Sequence, residues 1–142
     1  MSITEISIAN PVLRKTPWKP GPVVNPTDTV LVSLTDFHID GYRDLVRVMR
    51  TALRIQRGWD RRDGSLGLAL WVQPLRKRLG SLSAWESEQH YRRWVSSSEH
   101  MHVVRRHRGH MQNLSSATWE TETFDVEDAW QEVGRRWAAA AT

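Results

Sequence analysis

The chain has 142 residues, enough for one domain with a substantial core. It contains no cysteine, which excludes disulfides, thiolate nucleophiles and cysteine-ligated zinc or iron–sulfur sites. Its net charge is +4, from 20 Lys and Arg against 16 Asp and Glu, and the charges are spread over several segments, which argues against a nucleic-acid partner.

No apolar run approaches the roughly 20 residues of a membrane span, so no membrane association is expected. The first residues, Met-Ser-Ile-Thr-Glu-Ile, carry no secretory pattern, and a cytoplasmic location is expected. Tryptophan is the compositional anomaly: eight Trp stand against two Phe and two Tyr. A flat, bulky side chain with one N–H donor suits pockets for ring-shaped ligands.

Residues 1–26 are rich in proline and read as an extended N-terminal arm, leaving 27–142 as a single domain. Thr29 to Phe37 alternates as a strand. Asp40 and Gly41 then open a helix whose inner stripe is Tyr42, Leu45, Met49, Ala52, Leu53 and Gln56, and Gly58 stops it. Asp60 to Gly64 is a charged loop. Ser65 to Gln73 is a second strand ended by Pro74, and Leu79 to Glu86 a third, joined by a short basic turn that argues for a hairpin.

Ser87 caps the next helix, which carries Tyr91, Trp94 and Val95. Ser96, Ser97 and Ser98 predict a kink or a fresh cap, after which the helix resumes to about His107. Ser116 to Phe124 is a fourth strand. Asp125 caps a last helix with Val126, Ala129, Trp130, Val133 and Trp137 on one side.

The order is β-α-β-β-α-β plus a C-terminal helix. This is the α+β, ferredoxin-like arrangement, with a four-stranded antiparallel sheet under two helices. The sheet's other face must be covered, and pairing of two sheets in a homodimer is the expected solution.

The pattern formed by Gly64, Leu66, Gly67, Leu75, Arg76, Leu82, Ser83, Ala84, Trp85, Glu86, Ser87, Trp94, Val95, Ser98 and His100 resembles the antibiotic biosynthesis monooxygenase-like proteins. More closely, it resembles an uncharacterised branch of that family in the dimeric α+β barrel superfamily. The resemblance spans about residues 27–137. It implies a dimeric barrel and a range of activities: cofactor-free oxygenation, cyclisation or isomerisation of polyketide-like substrates, heme degradation, or no reaction. The leading reading is a small monooxygenase, or cyclase or isomerase, that tailors an aromatic or polyketide-like compound of bacterial secondary metabolism without a cofactor. The alternatives are a heme-binding or heme-degrading protein and a non-catalytic ligand-binding dimer.

His100 is the first candidate for chemistry. In the first turn of the resumed helix, a partly desolvated imidazole could take a proton from a phenol or an activated C–H. The competing reading is a histidine that bonds locally and serves packing. His107 lies two turns further on the same face and is the second candidate, although Arg105, Arg106, His107 and Arg108 also read as a plain basic helix end. Arg105 is the candidate for binding a substrate anion.

Trp71, Trp85, Trp94 and Trp119 could wall a pocket for a flat ligand, or simply fill the core. His38, between Asp36 and Asp40, is a further substrate-binding candidate at a strand end. No metal is expected: His100 and His102 point to different sides of a helix, and no carboxylate lies nearby in sequence to join His107 and His110. The heme-degrading relatives place an iron-ligating histidine further along this helix, where this sequence has Val104 or Arg105.

Overall fold

A computed structural model describes residues 4–7 and 12–141. In chain order it contains β1 (Thr4–Ser7), β2 (Val12–Lys15), β3 (Lys19–Pro20), β4 (Val30–Ile39), α1 (Tyr42–Arg57), β5 (Ser65–Gln73), β6 (Arg78–Trp85), α2 (Glu88–Ser96), α3 (Ser98–His107), β7 (Met111–Thr121) and α4 (Val126–Ala140). All pairings are antiparallel, in the order β1-β2-β5-β6-β4-β7, with β3 also on β5. The four expected strands are β4 to β7, and their order β5-β6-β4-β7 is the ferredoxin-like one. Part of the proline-rich arm adds strands outside β5; its residues 1–3 and 8–11, Pro11 included, lie outside the described residues. No helix among the described residues is long and apolar enough to cross a membrane.

Local chemistry explains the helix ends. Gly58 closes α1, and Ser87, Ser97 and Asp125 each accept a backbone N–H three residues on. The first helix differs from expectation at its start: Gly41, not Asp40, takes the cap position, without a side-chain cap. Tyr42 is 54% exposed and lies outside the buried stripe, which is Leu45, Val48 and Gln56; its ring instead faces the Lys77 ammonium. The edge strand β7 begins five residues earlier than predicted, at Met111, and ends at Thr121 rather than Phe124. Its pairing with β4 shifts register between Asp36 and His38, and Asn113 has φ 53°. Such a bulge breaks the alternation from which a strand is read.

The sheet has two faces because side chains alternate along each strand. Leu31, Leu68, Leu70 and Trp85 pack with Trp59 beneath α1 and α2. Val30, Val32, Leu34, Ala69, Trp71, Leu82 and Ala84 point the other way and pack against Ala129, Trp130 and Val133 of α4. The face that the sequence reading assigned to a partner's sheet is therefore covered by the chain's own C-terminal helix. Val32, Trp71 and Ala84 are fully buried there.

Close approach of strands leaves Gly80 no room for a side chain. A Cβ at this position would collide with the Thr35 carbonyl oxygen and the Trp71 ring, while one at Gly109 would meet nothing. Gly80→Ala is expected to lower stability by about 3 kcal/mol through overpacking. Gly109→Ala should change it by no more than about 0.5 kcal/mol. Urea unfolding of the two variants checks the contrast.

Candidate active-site cavity

Between the sheet and the helices lies a cavity of about 290 Å³. Its floor comes from an unusual pattern in the strands. Ser83 of β6 stands opposite Ser33 of β4, which stands opposite Thr118 of β7; the next inward row is Ser81, Thr35 and Ser116. Bulky pairs flank these rows, Trp85 with Leu31 on one side and Leu79 with Phe37 on the other. Small hydroxyl side chains where a helix-covered sheet usually carries leucine or valine leave the space unfilled. The floor is ordered: the Thr35 and Ser81 hydroxyls lie 2.6 Å apart, and the Ser81 amide donates to Thr35 Oγ1 at 3.0 Å. Val48, Ala52 and Ile55 of α1 wall one side, and α2 and α3 form the roof. Leu114 lines the cavity yet is 61% exposed, so the mouth lies at the β7 edge.

The break between α2 and α3 sets the first histidine. Ser97 has ψ 152°, which ends α2 and leaves its last carbonyls without helical partners. The Val95 carbonyl is taken instead by His100 Nδ1, at 2.8 Å. A carbonyl only accepts, so Nδ1 carries the proton, and in the neutral ring Nε2 holds the lone pair. Burial lowers the His100 pKa below its ordinary value, outweighing the Val95 carbonyl and Glu99, which pull it up. His100 lines the cavity and packs edge-on against Trp94 at 5.2 Å.

His107 also lines the cavity and is 7% exposed. Its Nε2 lies 3.2 Å from Thr51 Oγ1, whose proton goes to the Arg47 carbonyl. Nε2 is therefore the donor and Nδ1 the acceptor, the opposite tautomer to His100. Burial lowers its pKa too, helped by Arg106 and His110 and opposed by Asp44.

The aromatic wall is smaller than the sequence suggested. Trp94 and Trp59 line the cavity at 5.2 Å from one another, edge to face. Trp85 stands behind them on the same face, fully buried against Trp59 and Tyr91, with its N–H on Ser83 Oγ at 2.9 Å. Trp71 and Trp119 lie on the α4 face, away from the cavity. Trp71 packs on Trp137 at 4.8 Å, and Trp119 lies under the Arg136 guanidinium at 4.4 Å. An alternating strand exposes each side chain to one layer only, so neither ring can reach the cavity.

His38 is placed outside it as well, with Nδ1 at 3.3 Å from Asn113. Its flanking carboxylates do not orient it: Asp36 binds Arg78, and Asp40 accepts from Gln112. Arg105 is exposed on α3 and lines no part of the cavity. Sequence reading missed Trp59, which sits in a 3₁₀ turn read as the approach to a charged loop. It also missed the floor, whose signal was a polar residue at alternate positions of two strands otherwise facing a core.

The helix position that the resemblance gives to an iron ligand carries no histidine. Val104 or Arg105 stands there, and the Nε2 of His107, further along the helix, is engaged by Thr51. At about 290 Å³ the cavity stands at the lower bound for drug-sized ligands.

Both histidines bind protons less readily in the folded chain than in the unfolded one. The unfolded state then takes up more protons as pH falls, so stability present above pH ~6.5 is lost on acidification through that value toward the lowered folded pKa values. Urea midpoints at pH 7.5 and 5.5 measure the slope. The double variant His100→Gln/His107→Gln should flatten it; an unchanged slope would disprove the assignment.

No family model matches the chain, and no curated protein matches it in sequence. Solved structures match in shape. A protein assigned as an antibiotic biosynthesis monooxygenase from Deinococcus radiodurans superposes with a TM-score of 0.59 at 9% identity, over 68% of this chain and 97% of that one. SnoaB, a cofactor-independent oxygenase from Streptomyces nogalater, gives 0.52 at 16% identity, over 70% and 98%. A protein assigned as a monooxygenase from Fusobacterium nucleatum gives 0.59 at 9% identity, over 80% of this chain but 57% of its own. At these identities the likeness is one of fold. The chain has the ferredoxin-like α+β fold of the antibiotic biosynthesis monooxygenase-like proteins.

Proposed function

We propose that this protein is a cytoplasmic, cofactor-independent tailoring enzyme of bacterial secondary metabolism, acting on an aromatic or polyketide-like substrate. The observation that carries the reading is His100: a desolvated imidazole whose Nδ1 is committed to Val95, leaving the Nε2 lone pair as the base, in the wall of a mostly apolar cavity. The cofactor-independent oxygenase among the structures of the same fold supports it.

In the oxygenase form, His100 removes a proton from an acidic ring CH₂ or its phenol tautomer. The resulting anion is electron-rich and gives one electron to O₂. The radical pair joins as a peroxide at that carbon. Loss of water, with the proton returned by His100, leaves a carbonyl. One oxygen atom enters the product and the other leaves as water, so the substrate supplies all the electrons. Ser and Thr hydroxyls on the floor suit the oxygens of such an anion. The same proton removal begins a cyclisation or isomerisation. In this reading a second copy pairs along the free edge of β7, since each sheet face is covered within the chain.

Anthrone, a tricyclic compound with one acidic CH₂, is the test substrate. O₂ uptake and quinone formation above the uncatalysed rate are expected, with one O₂ consumed per quinone. His100→Gln should slow turnover by about 100-fold or more. The rate should be flat above pH ~6.5 and fall at lower pH, because the base must be neutral and its pKa lies below the ordinary histidine value. A His100→Gln variant as fast as the wild type would remove His100 from the mechanism.

A further inference from the structure

We propose that the groove between α1 and α3 binds an anionic group, a carboxylate or sulfonate, carried by the aromatic ligand whose rings occupy the cavity. This rests on the cavity's being the ligand site, as proposed above. Thr51, Arg54 and Ile55 lie on one face of α1, and Glu99, His102, Val103 and Arg106 on one face of α3. The two faces meet in a groove of about 440 Å³. Ile55 and Val103 line both the groove and the cavity, so the two spaces adjoin. Thr51 lines the groove and holds His107, which lines the cavity.

The charges in the groove are unbalanced. Arg54 and Arg106 have no ion-pair partner among the described residues, as is also true of Arg43, Arg50, Arg57, Arg61, Arg105 and Arg108; what sets the two apart is that both line the groove. The one carboxylate in the groove, Glu99, is held by Arg62 at 3.0 Å. Two guanidiniums on residues lining a concave surface attract an anion more strongly than they would on a flat one. Each also offers a planar fork of donors that matches a carboxylate or sulfonate. The residue for this role is Arg106, one position beyond the Arg105 that the sequence suggested. The one-residue difference turns the side chain about 100° around the helix.

Two fluorescent probes separate the contributions. 8-Anilino-1-naphthalenesulfonate carries an anion, and N-phenyl-1-naphthylamine is its neutral counterpart. The wild type is expected to bind the sulfonate more tightly, and Arg54→Ala/Arg106→Ala to weaken it on the order of tenfold or more while leaving the neutral probe unchanged. Arg50→Ala/Arg57→Ala, on α1 outside the groove, should leave both unchanged. Equal loss in the two double variants, or no loss in the first, would overturn the groove site. Ser33→Leu, which fills the cavity, should weaken both probes if its circular dichroism is native. If the neutral probe binds neither the wild type nor Ser33→Leu, the cavity reading itself fails, and the groove proposal with it.

Discussion

Ser33, Thr35, Ser81 and Ser83 occupy the centre of a sheet face that helices cover, where burial ordinarily selects branched aliphatic side chains. A leucine at each position would close the space beneath α3. Hydroxyls in such a place carry a desolvation cost unless they are bonded, and three of these four are bonded: Thr35 with Ser81, and Ser83 with the Trp85 indole. The arrangement gives up packing in the middle of the sheet and recovers it at the two ends. At one end Trp59, Trp85, Trp94 and Tyr91 interlock edge to face. At the other, Leu79 packs with Ile39, Leu45, Val48 and Phe37. The cavity is thus a property of the sequence pattern and not a gap left by loose packing.

The roof depends on a second local decision, the interruption of one long helix at Ser97. An unbroken helix would satisfy the Val95 carbonyl from its own backbone and leave the His100 ring without that partner. The break frees the carbonyl, and the ring takes it. Ser97 Oγ accepts the His100 amide at the same time. Backbone position, ring tautomer and cavity exposure of one histidine therefore follow from three consecutive serines. The Arg62–Glu99 pair, stacked at 4.0 Å over Trp94, ties the start of α3 to the turn that carries Trp59. Exposed pairs of this kind add little to stability, but this one orients a wall of the cavity.

How much of this was legible follows from the range of each signal. Ser87, Ser97 and Asp125 announce helix starts through bonds to residues three positions away, so the chain order of elements and the shared face of His100 and His107 could be read locally. Trp71 and Trp119 could not be placed that way. Which face of a strand meets the cavity depends on register and on which layer the distant α4 covers. Trp71 lies one residue from Leu70, yet they belong to opposite layers. Trp59 was hidden for another reason: a 3₁₀ turn has neither period, and its ring is held by Ser65 Oγ at 2.8 Å, a contact between segments read as separate. Arg105 and Arg106 differ only in angle around α3, and the facing stripe of α1 is what makes the angle matter.

The coverage of the second face by α4 bears on assembly as well as on folding. A ferredoxin-like sheet with one bare face is completed by another sheet; here Trp130 and Val133 complete it from the same chain. One of the sheet's two edges is β7, an 11-residue strand whose outer backbone donors and acceptors have no strand partner among the described residues. The same edge holds the cavity mouth, with Leu114 exposed beside it and Tyr91 reaching within 3.5 Å of Ser116. Anything that pairs with β7 would therefore also change access to the cavity. In the proposed reading, ligand binding and chain pairing would meet at this one strand, and each would bias the other through the interaction they share there.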